Sequence, residues 1–321
     1  MPPRPAPARR TLGPFTLGRR LPLHRPLRSL EFWRATRDDG TEALVAAPQQ
    51  GLETIASFAA WASAFEADVD AAQQLDHPAL LRVRERERSQ GVPFAVFEAF
   101  DGVSLRDVWP ARADVECFPP LVAALVVERV AAAVDHVHGA ARERGERDAV
   151  TYLDEGVVLC GIDGSARVLP SFLHVLEEEM PSLVEPPRLL GLPPTDRQPT
   201  VRSVVFALGS ALYQLAAGRL LVGAGDPWPR LTELTARFPR PSHRNPSLSV
   251  LDEVIAKATH AEPSRRYADP GRLAAALAQL LCNGEDAVPS VGYREAAWTV
   301  ERAQRYLAER VRDAIAADAR G

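Results

Sequence analysis

The chain has 321 residues, 46% of them hydrophobic and 25% charged, which is the composition of a soluble globular protein. The net charge of −4 provides no basic field that would favour nucleic-acid binding. There is no apolar run of membrane-spanning length, and the Pro- and Arg-rich N-terminus lacks the apolar core of a secretory signal. We therefore expect a cytoplasmic protein, in which the three widely spaced cysteines are reduced thiols.

The first third of the chain predicts a small α+β unit. Residues 1–13 predict a disordered tail because they are rich in Pro and Arg. The strand patterns occupy Phe15–Leu21, Leu30–Ala35, Glu42–Ala47, Leu80–Val83 and Pro93–Phe100. Apolar residues recur at helical spacing over Ile55–Leu75, which predicts a helix between the third and fourth strands. A polar turn is predicted between the last two strands.

From Gly102 onward the patterns are mainly helical. Ser104 and Asp107 have the spacing of a capped helix start. The longer helical patterns occupy Leu121–His138, Val204–Ala217, Leu251–His260, Gly271–Leu281 and Tyr293–Ala317. The last of these has one apolar stripe, made by Val300, Ala303, Leu307, Val311 and Ala314. Amphipathic helices usually bury such a stripe against their own chain, so we expect packing in cis, with a partner surface as the alternative.

A hairpin pattern lies in the middle of the chain. The apolar runs Val157–Leu159 and Ala166–Leu169 are separated by Gly161-Ile162-Asp163-Gly164. An Asp-Gly pair between apolar runs is a strong hairpin signal.

Several strings in this order resemble the bacterial serine/threonine protein kinases, from about Phe15 to Leu281. They are DHPALLRV, VFEAFDGVSL, AVDHVHG, VRSVVFALGSALYQLAAGRL and EPSRRYADPGRLAAAL. The resemblance implies an α+β, bilobal protein kinase-like fold, with a small β-rich N-lobe, a larger mainly helical C-lobe and a C-terminal extra helix. The implied N-lobe spans residues 14–100, the C-lobe 101–283, and the linker with the final helix 284–321.

The resemblance also locates the kinase nucleotide site, and its N-lobe part is degenerate. The loop Leu21–Ser29, where the family has its glycine-rich loop, has no glycine and two prolines, which remove N–H donors. Ala46 falls at the phosphate-binding lysine, and Lys257 is the only lysine of the chain. Asp68 falls at the helix glutamate that normally pairs with that lysine, and an ordinary surface acid is the simpler interpretation.

The catalytic positions that the resemblance implies are also changed. Ala149 and Thr151 fall at the His and Asp of the catalytic loop, and Gly156 at its metal-binding Asn. Pro170 replaces the metal-binding Asp that follows the hairpin. No asparagine precedes Asn245, so the metal-binding asparagine has no replacement nearby. Phosphoryl transfer depends on these charges and metal ligands.

These losses predict a catalytically inactive kinase-like domain, a pseudokinase that acts as a regulatory or scaffolding protein-binding module. We expect no cofactor and no metal, with ATP and Mg²⁺ binding weak or absent. The expected partner is another protein, not nucleic acid and not a membrane. Its candidate surfaces are the Pro-rich segment 181–199, the Arg-rich tail and the stripe of the final helix.

Two alternatives remain from the sequence. One is an atypical enzyme that uses a displaced carboxylate, for which the candidates are Asp148, Asp154 and Asp163. The other is a nucleotide sensor with residual ATP binding at the hinge. Its vestigial pocket would be formed by Phe97, Glu98, Ala99 and Phe100, with Phe97 at the gatekeeper position.

Overall fold

The chain forms two compact units in the computed structural model. The described residues are 10–21, 30–54, 56–109, 117–145, 156–170, 200–217, 240–243, 245–287 and 299–318. Unit 1 comprises Met1–Asp76, Leu81–Asp101 and Pro170–Glu185. Unit 2 comprises His77–Leu80, Gly102–Leu169 and Pro186–Gly321.

Unit 1 contains a six-stranded antiparallel sheet in the order β1-β2-β3-β4-β6-β5. Its strands are β1 Thr11–Leu12, β2 Phe15–Leu21, β3 Leu30–Arg37, β4 Glu42–Pro48, β5 Val83–Ser89 and β6 Val92–Phe97. Helix α1 spans Phe58–Ala72 and follows a short 3-10 helix at Leu52–Thr54. The predicted helix over Ile55–Leu75 is therefore shorter at both ends, and the last predicted strand ends at Phe97 instead of Phe100.

The sheet curls until its two ends meet. The Gly13 N–H donates to Ser89 Oγ at 3.2 Å, which joins the β1–β2 turn to the end of β5. The Arg37 guanidinium donates to the carboxylates of Glu85 and Glu87 at 2.9 and 3.0 Å. Inside the curl lies an apolar core made by Phe15, Leu17, Ala35, Ala43, Val45, Ala47, Phe94 and Val96.

Strand β5 corrects one expectation from the sequence. The segment after Val83 was expected to be a polar turn, but it is a strand that pairs with β6 along its length. Its charges alternate, so the arginines lie on one face and the glutamates on the other. Each face meets opposite charges, and the strand is therefore stable without an apolar side. Leu80, the predicted start of this strand, instead makes an isolated parallel bridge with Val168.

The sheet also begins earlier in the chain than expected. Strand β1 pairs Thr11 with Thr16 and Leu12 with Phe15, so the predicted tail boundary at residue 13 is wrong. Arg10, just before this strand, stacks over the Trp33 ring at 5.2 Å and donates to the buried Glu31 carboxylate at 3.3 Å. These contacts fix the start of the sheet, which composition alone did not indicate.

Unit 2 is mainly helical and contains a small antiparallel sheet of order β7-β8-β9. Its strands are β7 Gly102–Ser104, β8 Val158–Gly161 and β9 Ala166–Val168. Its helices are α2 Leu105–Val108, α3 Pro120–Glu143, α4 Val201–Ala217, α5 Asp252–Ala258, α6 Pro270–Ala287 and α7 Val300–Asp318. Short 3-10 helices span Pro241–His243, Pro246–Leu251 and Pro263–Arg265. The predicted hairpin is confirmed, with β8 pairing β9 across the turn.

The helices pack around α3 and α4. Every residue of α4 from Ser203 to Ala216 is buried, as its all-round apolar pattern predicted. Helix α3 contacts α4, α6, α7 and β9. At Gly209, an added Cβ would lie 2.6 Å from the Ala258 methyl, so this glycine permits the close approach of α4 and α5. The predicted cap is confirmed, because Ser104 and Asp107 form a capping box at α2.

A buried arginine connects α4 to the segment before α6. Arg266 is 3% exposed and lies over the Phe206 ring at 4.9 Å. Its guanidinium donates to the backbone carbonyls of His260 at 2.7 Å, Arg202 at 3.1 Å and Ala261 at 3.2 Å. These carbonyls stabilise the buried cation, as burial of a charge requires.

The final helix packs in cis, which confirms the intramolecular expectation. Its stripe residues Ala303, Leu307 and Val311 are fully buried, and α7 contacts α2, α3, β7 and β8. The hairpin turn lies directly on the helix, because a Cβ at Gly164 would overlap the Gln304 backbone. No helix among the described residues is both long and apolar enough to cross a membrane.

The Gly164 contact gives a first prediction. Gly164 has a φ of +79°, and Gly145 a φ of +74° with open space around its Cβ position. Gly145→Ala should cost about 1 kcal/mol of unfolding free energy, from the positive φ alone. Gly164→Ala should cost about 3 kcal/mol or more, because it also forces the turn away from α7. Urea unfolding monitored by circular dichroism measures both, and equal losses would show that the turn–helix contact is unimportant.

Two histidine rings stack on each other in unit 2. The His77 Nδ1 accepts a hydrogen bond from the Ala79 N–H at 3.1 Å, so the ring acts as a neutral acceptor. The His77 and His136 rings stack with centroids 5.1 Å apart. Burial above all, with the nearby charges of His136 and Arg129, lowers the pKa of His77 from its ordinary value.

We therefore expect this contact to weaken in acid. His77 has an ordinary pKa of about 6.5 in the unfolded chain and a lower pKa in the folded chain. Below a pH of about 6.5, the unfolded chain therefore binds a proton at His77 more readily than the folded chain. The unfolding free energy consequently falls as the pH drops towards the pKa of the folded chain. His77→Asn keeps an acceptor but does not titrate. Its unfolding free energy should decrease less than that of wild type between about pH 7 and about pH 5. Parallel pH profiles for the two proteins would contradict this assignment.

Candidate functional site

Ala46, which the resemblance matches to the phosphate-binding lysine, is surrounded by apolar side chains. Ala46 lies in the middle of β4, directly opposite Phe32 on β3 and Ala95 on β6. Directly opposed residues lie on the same face of a sheet. Leu44 and Phe97 oppose each other on this face as well, and all five residues are at most 1% exposed. The Phe32 and Phe97 rings lie 6.4 Å apart. A lysine here would therefore have to share an apolar, closely packed face.

Asp68 of α1 is the position that the resemblance matches to the glutamate that pairs with the lysine. Asp68 is half-buried, and its neighbours Glu66 and Asp70 form the ion pairs described below. Lys257 lies in unit 2, where its ammonium sits 4.4 Å from the centroid of the Tyr267 ring. At the two positions that the resemblance matches to a lysine–acid pair, unit 1 has Ala46 and Asp68, and the acids on either side of Asp68 bind arginine.

The predicted hinge residues are mostly engaged in the fold. Phe97 is fully buried and Phe100 is 8% exposed, whereas Ala99 is exposed. Glu98 is tied to Arg82 twice: its N–H donates to the Arg82 carbonyl at 3.0 Å, and its carboxylate accepts from the Arg82 N–H at 3.1 Å. Two of the four side chains assigned to the vestigial pocket therefore belong to the core.

The catalytic-loop positions are only partly described. Gly156 and Pro170 are buried at the two ends of the hairpin segment, and neither residue type offers a side-chain ligand for a metal. Ala149 and Thr151 lie outside the described residues, as do Asp148 and Asp154 of the atypical-enzyme alternative.

Asp163, the third displaced carboxylate, is part of the hairpin turn. Its Oδ1 accepts from the Ser165 N–H at 2.9 Å and from the Ser165 hydroxyl at 2.6 Å. Partial burial would raise the pKa of Asp163, but these hydrogen bonds lower it overall. The side chain is a charged acceptor that closes the turn, and such a group is a poor general base near neutral pH.

One ionic network was missed by sequence reasoning. The Arg86 guanidinium donates through Nε to Asp70 at 2.7 Å and through Nη1 to Glu66 at 2.9 Å. Arg88 donates to both Glu66 oxygens at 2.7 Å. The hydrogen bond from Arg88, with the charges of both arginines, holds the pKa of Glu66 below its ordinary value despite burial. The signal was present in the alternating charges of residues 84–88, which are typical of a strand with two different faces.

No metal site is present in the part of the chain that the structure describes. There, no group of three or more His, Cys, Asp and Glu side chains is arranged to hold a metal ion.

The curled antiparallel sheet of unit 1 and the helices of unit 2 define a protein kinase-like fold, which confirms the expectation from the sequence. Crystal structures of the Mycobacterium tuberculosis PknI kinase domain match it with TM-scores of 0.56 and 0.58 at 18% sequence identity. They cover 86% of this chain and 100% and 98% of the PknI chains. At this identity the likeness shows the fold alone.

Sequence comparison adds relatives with a kinase name. The serine/threonine-protein kinases PknJ of Mycobacterium bovis and Mycobacterium tuberculosis are each 27% identical to this chain over 238 residues. The alignment covers 68% of this chain and 38% of each relative, so the chain spans well under half of the length of these curated relatives. No family model matches the chain.

The sealed face around Ala46 gives a prediction. Ala46→Lys should lower the unfolding free energy by about 3 kcal/mol, because a buried ammonium has to be desolvated without a partner. Ala59→Lys, on the exposed side of α1, should change it by less than about 0.5 kcal/mol. Denaturant unfolding compares the two variants. If Ala46→Lys is as stable as the control, the face is open to charge and the assignment fails.

Proposed function

We propose that this chain is a catalytically inactive protein kinase-like domain, a pseudokinase, that acts by binding another protein. The observation that carries the proposal is the burial of Ala46 among Phe32, Leu44, Ala95 and Phe97. A kinase needs a cation near the phosphates of the nucleotide, and this face offers only apolar groups.

Residue chemistry at the other matched positions supports the proposal. Thr151, Gly156 and Pro170 carry no carboxylate or amide where the resemblance implies the catalytic base and the two metal ligands. Together with Ala46, these positions would each remove a different part of the same chemistry. A single displaced residue does not restore them together.

The apolar framework of the fold is retained while the charged groups are lost. Helix α4 is buried throughout, and the hairpin β8–β9 keeps its pairing although it no longer leads to metal-binding groups. A stable scaffold without chemistry is suited to presenting a surface to a partner protein. Because the stripe of α7 is buried in cis, the remaining partner surfaces from the sequence are the Pro-rich segment 181–199 and the Arg-rich tail, both outside the described residues.

Phosphate transfer tests the absence of catalysis. The purified full chain is incubated with radiolabelled ATP and either Mg²⁺ or Mn²⁺, alone and with generic protein substrates, beside an active serine/threonine kinase. We expect no metal-dependent incorporation, and a change of less than about 1 °C in the melting temperature with millimolar ATP. If the chain incorporates phosphate, and Asp154→Asn or Asp148→Asn abolishes this incorporation, the protein is the atypical enzyme instead. A large ATP-dependent rise in melting temperature without transfer would establish the nucleotide sensor.

Partner capture tests the binding role. The intact chain and a chain lacking residues 181–199 are used as bait in extracts of the native cell, with retained proteins quantified by mass spectrometry. We expect the intact chain to retain one protein at near-stoichiometric yield. The chain with the deletion should not retain that protein. Reconstitution of that complex from the two purified proteins must follow, and failure of a purified pair to associate would count against a direct scaffold role.

A further inference from the structure

We propose that Arg86 and Arg88 of β5 replace the missing lysine as the groups that position α1, so that this helix keeps one place on the sheet without any nucleotide. The inference deepens the proposed function and rests on it, since an active kinase would couple the helix to its nucleotide site.

The hydrogen bonds of the network fix the orientation of the groups that they join. Arg86 binds Asp70 through Nε and Nη2, at 2.7 and 3.1 Å, and reaches Glu66 with Nη1 at 2.9 Å. Glu66 and Asp70 are four residues apart, so they lie on the same side of α1. Arg88 holds both oxygens of Glu66. Paired hydrogen bonds from a planar guanidinium fix orientation as well as distance. Two such contacts one turn apart therefore restrain both the rotation and the sliding of the helix.

The apolar face of α1 supports the same position. Trp61, Phe65 and Val69 are fully buried, and α1 contacts β5 and β6. The Trp61 ring stacks on Phe58 at 5.6 Å and on Phe65 at 5.2 Å. The close packing of these side chains fixes the apolar side of α1 by shape, and the ionic contacts add directional restraints on its other side.

Strand β5 is itself fixed from its other face. Glu85 and Glu87 bind the Arg37 guanidinium of β3, and Ser89 accepts from the Gly13 N–H. The arginines of β5 therefore project from a strand that is held at both sides of the curled sheet. Helix α1 is bound to this strand, so we expect the helix and the sheet to move together.

The network is larger and in part more buried than an isolated surface ion pair. The Glu66 side chain is 16% exposed and Arg86 31%, whereas Arg88 and Asp70 are 50% and 51% exposed. Isolated exposed pairs contribute little, whereas several charges with paired hydrogen bonds and partial burial contribute measurably. We expect the loss of both arginines to be visible as local opening of α1.

Hydrogen exchange read by mass spectrometry tests the proposal on the full chain. In wild type, amides of residues 58–72 should be protected without nucleotide, and their protection should not change when ATP and Mg²⁺ are added. In the double variant Arg86→Gln with Arg88→Gln, these amides should exchange about tenfold faster. Arg84→Gln is the matched control, because Arg84 is exposed on the same strand and outside the network; it should stay within about twofold of wild type.

The outcomes separate local from global effects. The amides of α4 in unit 2 serve as the internal reference. If their exchange accelerates as much as that of α1, the double variant has lost overall stability. The milder variant Glu66→Gln is then measured in its place. Unchanged protection of α1 in both network variants would overturn the proposal. So would α1 amides in wild type that become protected only with ATP and Mg²⁺. The phosphate-transfer assay is independent of this readout, so an unrestrained helix in an inactive chain would reject the positioning role and leave the proposed function intact.

Discussion

Opposite charges on the two faces of one strand connect three elements of unit 1. Strand β5 binds Arg37 through Glu85 and Glu87, and binds α1 through its arginines. An edge strand with charged residues on both faces is also protected from pairing with other chains. The ionic contacts that close the sheet and those that hold α1 therefore both depend on this alternation, while an apolar core fills the curl. Without the alternation, α1 would keep only its apolar packing on the sheet.

In unit 2 the corresponding constraint is close backbone approach. Gly209 lets α4 and α5 meet, and Gly164 lets the hairpin turn rest on the backbone of α7. The Arg312 guanidinium donates to the Ile162 carbonyl of the same turn at 3.1 Å. The final helix is consequently a layer of unit 2 that lies against β7 and β8. The hairpin therefore has a structural role, because its turn supports this helix.

Periodicity and local chemistry predicted much of this arrangement. The hairpin follows from its Asp-Gly turn, the start of α2 from the spacing of Ser104 and Asp107, and the central place of α4 from its uniform apolarity. Strand β5 was missed because its charges resemble a turn until their partners on α1 and β3 are known. The alanine at position 46 is visible in the sequence, but its enclosure by Phe32 and Phe97 is not. That enclosure arises from strand register, which pairs residues distant along the chain.

The apolar closure around Ala46 also limits what a single substitution at this position can do. Protein interiors are closely packed, so each side chain on a buried face restricts the size and charge of its neighbours. Here two phenylalanines and a leucine share the face with the alanine. A lysine introduced alone at position 46 would enter surroundings that do not accommodate it. Placing a cation on this face would therefore take several coordinated changes through less stable intermediates.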